Sequence, residues 1–165
     1  MSHSRWKVDE VKPKIENFLR PVLKSAGLEL HFEIGDGSGL DPSFEQPDIL
    51  VDFRGRDLDI LLANKAELLL ALEHVTLEAL RTRPEEHSRL MFDANEYRMM
   101  RLEELRLSAE TAAEKVKRTG VPFKFNPMNS RERRIIHLAL RNNSSVRTES
   151  EGLAPRRQVV IYPAH

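Results

Sequence analysis

With 165 residues, the chain is long enough for one domain of typical size or for two small ones that share an interface. Its composition of 40% hydrophobic, 32% charged and 6% aromatic residues is that of a folded globular protein, and no apolar run approaches the roughly 18 residues that a spanning helix needs. Without cysteine there is no disulfide framework, thiolate zinc site or cysteine nucleophile; without an apolar signal core in MSHSRWKVDEVKPK, membrane insertion is not expected and a cytoplasmic location is the default expectation.

Residues 7–25 space Val8, Val11, Ile15, Phe18, Leu19, Val22 and Leu23 three and four apart, which predicts an amphipathic helix, with Pro13 and Pro21 arguing against one straight rod. Gly27 suits the end of that helix, and LELHFEI alternates as a half-buried strand does. GDGSGLDPSFEQP reads as a loop whose alternate glycines are turn chemistry, and DILVDFRG predicts the second strand. From Asp57 to Arg83 the chain is apolar enough for two buried helices or one bent one. Within it Leu68, Leu69, Leu70, Leu72, Val75, Leu77 and Leu80 occupy more of the helix circumference than one core face requires. Either a second layer of the same chain or another copy in a homodimer would cover them.

HSRLMFDA predicts a third strand. The spacing of Tyr97, Met100, Leu102, Leu105, Ala109, Ala112, Ala113 and Val116 then predicts a long helix over 95–119, closed by Gly120. After the short extended piece PFKFNP, Asn129 followed three residues later by Glu132 fits a capping box that opens another helix. Val146–Ser150 and RQVVIYP, on either side of a Gly/Pro turn, predict two last strands.

The formal net charge is zero, yet residues 1–116 hold 16 Lys+Arg against 23 Asp+Glu, and residues 117–165 hold 10 against 3. A polyanion is attracted to the C-terminal third. The density peaks in NSRERRIIHLAL, residues 129–140. At about 100° per residue, Ile135, Ile136, Leu138, Ala139 and Leu140 fall in one half of the wheel, and Arg133, Arg134, His137 and Arg141 form a ridge in the other. Like charges at this spacing destabilise a helix by a few tenths of a kcal/mol, so the ridge needs an offsetting reason. Arginine forks match phosphate geometry, and Lys117, Arg118, Lys124, Arg147, Arg156 and Arg157 extend the basic character. The histidines are scattered, with no helical metal-site spacing, and there is no nucleophile elbow or phosphate loop; Asp57 and Asp59 suit helix capping. Neither an enzyme nor a resident metal or cofactor is expected.

Arg133-x-x-x-His137 in SRERRIIHLAL, followed by VRTESEG and RRQVVIYP, closely resembles the R3H domain, a small module of helices against a three-stranded sheet associated with single-stranded nucleic acid. The preceding strands, DLDILLANKAELLLALEHV and EYRMMRLEELRLSAETAAEKVKRTG resemble the KH and linker-helix portion of the bacterial Jag (SpoIIIJ-associated) proteins, without their further N-terminal domain. The resemblance implies an α+β protein: a degenerate type II KH-like domain over 1–94, including the N-terminal helix, and an R3H domain over 95–165, including the long linker helix. It implies binding of single-stranded RNA or DNA, more readily RNA, at Lys124, Arg133, Arg134, His137, Arg141, Arg147, Arg156 and Arg157. A KH domain holds the nucleic-acid backbone in a Gly-x-x-Gly loop between two helices. Here Ala63, Asn64, Lys65 and Ala66 occupy those positions, and alanine favours continuing a helix over breaking it. The alternative function is a protein-interaction adaptor, in which the KH half has become a surface for dimerisation or for another KH protein.

Overall fold

In the computed structural model, residues 5–40 and 46–164 are described; DPSFE, within the loop expected over 35–47, lies outside them. The chain divides into two units, residues 1–97 and 98–165. Among the described residues no helix is long and apolar enough to cross a membrane.

In the first unit, helix α1 (Val8–Ser25) buries Ile15, Leu19 and Leu23, the stripe expected from their spacing, and accommodates both prolines. Strand β1 (Leu30–Asp36) pairs antiparallel with β2 (Ile49–Gly55), setting Phe32 opposite Phe53 and Ile34 opposite Val51. Strand β3 (Leu90–Ala94) lies parallel to β2 on its other side, so the sheet order is β1-β2-β3. A parallel neighbour requires a long crossover, here helix α2 (Leu58–Ala79). The sheet is held by a row of rings, with Phe32 and Phe53 centroids 5.7 Å apart and Phe53 and Phe92 centroids 5.2 Å apart. Gly55 ends β2 at φ +136°, where an added Cβ would lie 2.4 Å from the Glu29 carbonyl oxygen; no larger residue fits.

The second unit takes all but the first residue of helix α3 (Tyr97–Thr119), then β4 (Phe123–Lys124), helix α4 (Ser130–Ala139), β5 (Val146–Glu151) and β6 (Gln158–Pro163). Its sheet has the order β4-β6-β5, antiparallel throughout. The core joins Leu105, Ala109, Ala112, Ala113 and Val116 of α3 to Ile136 of α4, Leu140, and the inward residues Val146, Val159 and Ile161. Both units thus set helices on a small three-stranded sheet, the expected α+β class.

One expectation changes at α2. The alanines at 63 and 66 do not continue the helix: Ala63 is extended (φ −60°, ψ 153°), and Asn64, Lys65 and Ala66 all sit at φ between +53° and +58°. The chain turns sharply there with no glycine at positions 63–66. Tertiary packing overrides propensity, because Leu61 before the break and Ala66, Leu69, Leu72 and Leu77 after it are all buried in the same core. Within the leucine-rich circumference, Leu69, Leu72 and Leu77 are buried and Leu68 and Leu80 pack against the same core, while Val75 stays 41% exposed.

A left-handed L-residue is strained by about 1–2 kcal/mol relative to glycine's tolerance of that region. Lys65 is exposed and its side chain has little packing to lose. Lys65→Gly should therefore raise stability by about 1 kcal/mol in urea unfolding, and a lower midpoint would show that the turn is not strained there. Ala66→Gly should be closer to neutral, because relief of the same strain is offset by loss of a fully buried methyl worth about 1 kcal/mol.

Candidate nucleic-acid interface

The basic helix α4 begins as its sequence dictates. The Asn129 side chain accepts from the Glu132 amide at 2.9 Å, and the Glu132 carboxylate accepts from the Asn129 amide at 3.3 Å. The other Glu132 oxygen accepts from Arg101 Nε of α3 at 2.8 Å, and Arg101 also bridges to Glu104 at 2.8 Å. Burial works against the Arg101 charge, but hydrogen bonds from Glu132 and Glu104 outweigh it and raise its pKa overall. One carboxylate therefore caps α4 and ties its first turn to α3. Sequence reading found the cap and missed the tie, whose partners are 31 residues apart.

Arg133 follows directly. Its Nη1 donates to the Met128 carbonyl at 2.8 Å, while the Met128 amide donates to the Arg157 carbonyl at 3.1 Å. Arg157 in turn donates from Nη1 to the Gly152 carbonyl at 2.8 Å. Burial and then the Arg157 charge push the Arg133 pKa below its ordinary value, though a guanidinium remains protonated in any working buffer. Two like charges are thus held near each other by backbone carbonyls. Neither has a carboxylate partner among the described residues.

His137 departs from the expected ridge. Its Nδ1 lies 2.6 Å from Thr148 Oγ1 and its Nε2 lies 2.8 Å from Ser150 Oγ, so both ring nitrogens are engaged with β5. Burial first, and the Arg133 charge second, hold its pKa below the ordinary 6.5. In this arrangement it orients α4 against the sheet and leaves no ring nitrogen for a phosphate. Sequence reading missed Thr148 and Ser150, although their i,i+2 spacing on a strand places both hydroxyls on one face.

The other expected residues separate by face. Arg134, Arg141 and Arg156 are exposed with no ion pair among the described residues; Arg141 falls just past the end of α4. Arg147 is removed from the α4 side: alternation along β5 turns it away from Thr148 and Ser150, where it pairs with Glu149 and lies 4.4 Å over the Tyr162 ring. Lys124 is cross-strand from Val160, next to Glu149 in the ladder, and so shares that opposite face with Arg147. In the other unit, Lys65 is the one cation of the 63–66 turn. No group of His, Asp or Glu among the described residues is arranged to hold a metal ion.

Removing the Glu132 carboxylate leaves the partly buried Arg101 with only the exposed Glu104 and takes an acceptor from the α4 cap. Glu132→Ala should destabilise the protein by about 2 kcal/mol in urea unfolding, and an unchanged midpoint would show that the tie contributes nothing. For His137 the folded pKa is depressed, so as pH falls the unfolded chain binds the proton first. Its stabilising contribution is present above about pH 6.5 and lost as pH drops toward the folded pKa. Between pH 7 and 5 the parent should lose more stability than His137→Gln, measured as the shift in urea midpoint. Equal losses would mean that His137 is not held neutral.

Residues 103–163 match the family model described as the R3H domain. Three bacterial proteins named RNA-binding protein KhpB are similar to this chain. That of Clostridium symbiosum is 37% identical over 111 residues, which are 67% of this chain and 50% of the relative. That of Lactiplantibacillus plantarum is 31% identical over 129 residues, 78% of this chain and 40% of the relative. The Bacillus subtilis protein is 34% identical over 109 residues, 65% and 52% respectively. The chain spans about half the length of these curated relatives. The Arg133-x-x-x-His137 helix and its three-stranded sheet lie within the matched R3H domain, and together these matches are consistent with a Jag-like protein that carries it.

Proposed function

We propose that this protein binds single-stranded RNA in the bacterial cytoplasm through the unit over residues 98–165, without catalysing a reaction. The observation that carries the reading is the Arg133–Arg157 pair: two guanidiniums fixed in place by carbonyls, repelling each other, with no carboxylate among the described residues to compensate them. A phosphate is the ligand that such an arrangement lacks, because its oxygens accept from both forks at once. Arg134, Arg141 and Arg156 supply further exposed charge for neighbouring phosphates. The names of the relatives favour RNA over DNA. Arg147 and Lys124, on the opposite sheet face, are left out of the proposed contact set. The 63–66 turn is left out as well, since its one cation sits in the acidic part of the chain and its glycines are gone.

Roughly three to five phosphate contacts give a slope of log K against log salt of about −2 to −3.5 for a single strand. Fluorescence anisotropy with short labelled RNAs across a salt series measures it. Arg133→Ala and Arg157→Ala should each weaken binding to unrelated sequences by similar factors and make the slope shallower by about one contact, because backbone contacts carry no base information. Lys65→Ala should change affinity less than about threefold. No binding of single-stranded RNA at low salt, or unchanged binding by both arginine variants, would overturn the reading.

A further inference from the structure

The turn between β5 and β6 is built to present one apolar side chain beside the arginine pair. Leu153 is 84% exposed, more than any other large hydrophobic residue among those described. It does not hang from a slack loop. The Arg156 amide donates to the Leu153 carbonyl at 2.8 Å, closing a tight turn, and Arg157 donates to the Gly152 carbonyl across its base. Gly152 sits at φ +86°, where an added Cβ would meet the Arg156 carbonyl oxygen at 3.0 Å, so the approach of the two arms depends on glycine. Arg156 is exposed beside Leu153 with no ion pair among the described residues. The nearest acids are turned away: Glu149 pairs with Arg147, and Glu151 accepts from the Tyr162 hydroxyl. Arg157 joins this tip to Arg133.

An apolar tip bordered by uncompensated arginines fits a ligand that alternates flat apolar faces with negative charge at the spacing of a few ångströms. We infer that Leu153 is a nucleobase-contacting residue, packing on an unstacked base of single-stranded RNA while the adjacent phosphates lie on Arg156, Arg157 and Arg133. The inference rests on the RNA-binding reading above and adds a contact to the bases themselves, where every other proposed contact is to phosphate. An unstacked base has an apolar face that a single-stranded polymer leaves available, and proteins that bind such strands cover those faces with side chains beside a cationic track. An anionic bilayer offers the same two chemistries, but one leucine buries too little surface to hold a protein on a membrane, where even a whole acyl chain binds marginally.

The full chain would be titrated against a labelled single-stranded RNA, an abasic strand of equal length and phosphate number, and vesicles containing phosphatidylglycerol. Leu153→Ser should weaken RNA binding about three- to tenfold, leave the salt slope unchanged and leave the abasic strand bound as by the parent. Leu153→Phe should bind RNA at least as tightly as the parent, and Arg157→Ala should weaken both strands and reduce the slope. Because Leu153 is exposed, the serine variant is expected to keep the parent's urea midpoint, which confirms that folding is unaffected. If Leu153→Ser binds RNA as the parent does while Arg157→Ala does not, the base contact is overturned and the phosphate reading stands. If the serine change lowers vesicle binding alone, the tip faces a membrane and the inference is overturned. Failure of the parent to bind RNA at all overturns the proposed function together with this contact.

Discussion

The Glu132 carboxylate fixes where the basic helix lies. One oxygen completes the reciprocal cap with Asn129, and the other takes the Arg101 guanidinium of α3. Cap and tie act on the same turn, so the start of α4 and its placement on α3 are set together. The side chain that follows, Arg133, then emerges at a determined point and meets the Met128 carbonyl. Had the acid been elsewhere on α4, the helix could still form, but its register would rest on apolar contacts such as those of Ile135, Ile136, Ala139 and Leu140. Apolar packing is non-directional, whereas a charged hydrogen bond to a planar guanidinium specifies an orientation.

The site itself depends on what the protein withholds. Some surface arginines of this chain find a carboxylate, as Arg106 does with Glu103 and Glu110, and Arg20 with Glu16. Arg133 and Arg157 receive backbone carbonyls instead, which fix a guanidinium without cancelling its charge. Burial, then the Arg133 charge, disfavours the charged form of His137, and the ring spends both nitrogens on β5. The division of labour is physical: the histidine orients the helix, the arginines carry the field.

The first unit holds a turn that local propensity does not favour. Three successive left-handed residues between the limbs of α2 are unfavourable locally, and none is glycine. They persist because both limbs have apolar residues committed to one core, and straightening the helix would withdraw one set from it. Ala66 contributes directly, since its methyl is fully buried there. Without glycine the turn retains its path but presents side chains where a backbone could otherwise be approached closely.

The sequence by itself determined the elements whose cause is local. Hydrophobic spacing placed α1 and α3, alternation placed β1, and Asn129 with Glu132 placed the start of α4, because each signal lies within a few residues of the structure it specifies. The concentration of charge after residue 117 and the Arg133-x-x-x-His137 pattern were equally legible, and with them the R3H domain. Which cations share a face depends on partners far away in sequence. Wheel arithmetic grouped His137 with the arginines, but its two hydroxyl partners come from a strand eleven and thirteen residues away, and they turn the ring inward. Composition grouped Arg147 and Lys124 with the rest, but strand alternation and the pairing of β4, β5 and β6 set them on the other face. Helix propensity ran alanine straight through positions 63–66, and burial on both sides of the break overruled it. In each case the deciding energy came from partners distant in sequence, which periodicity within one segment does not encode.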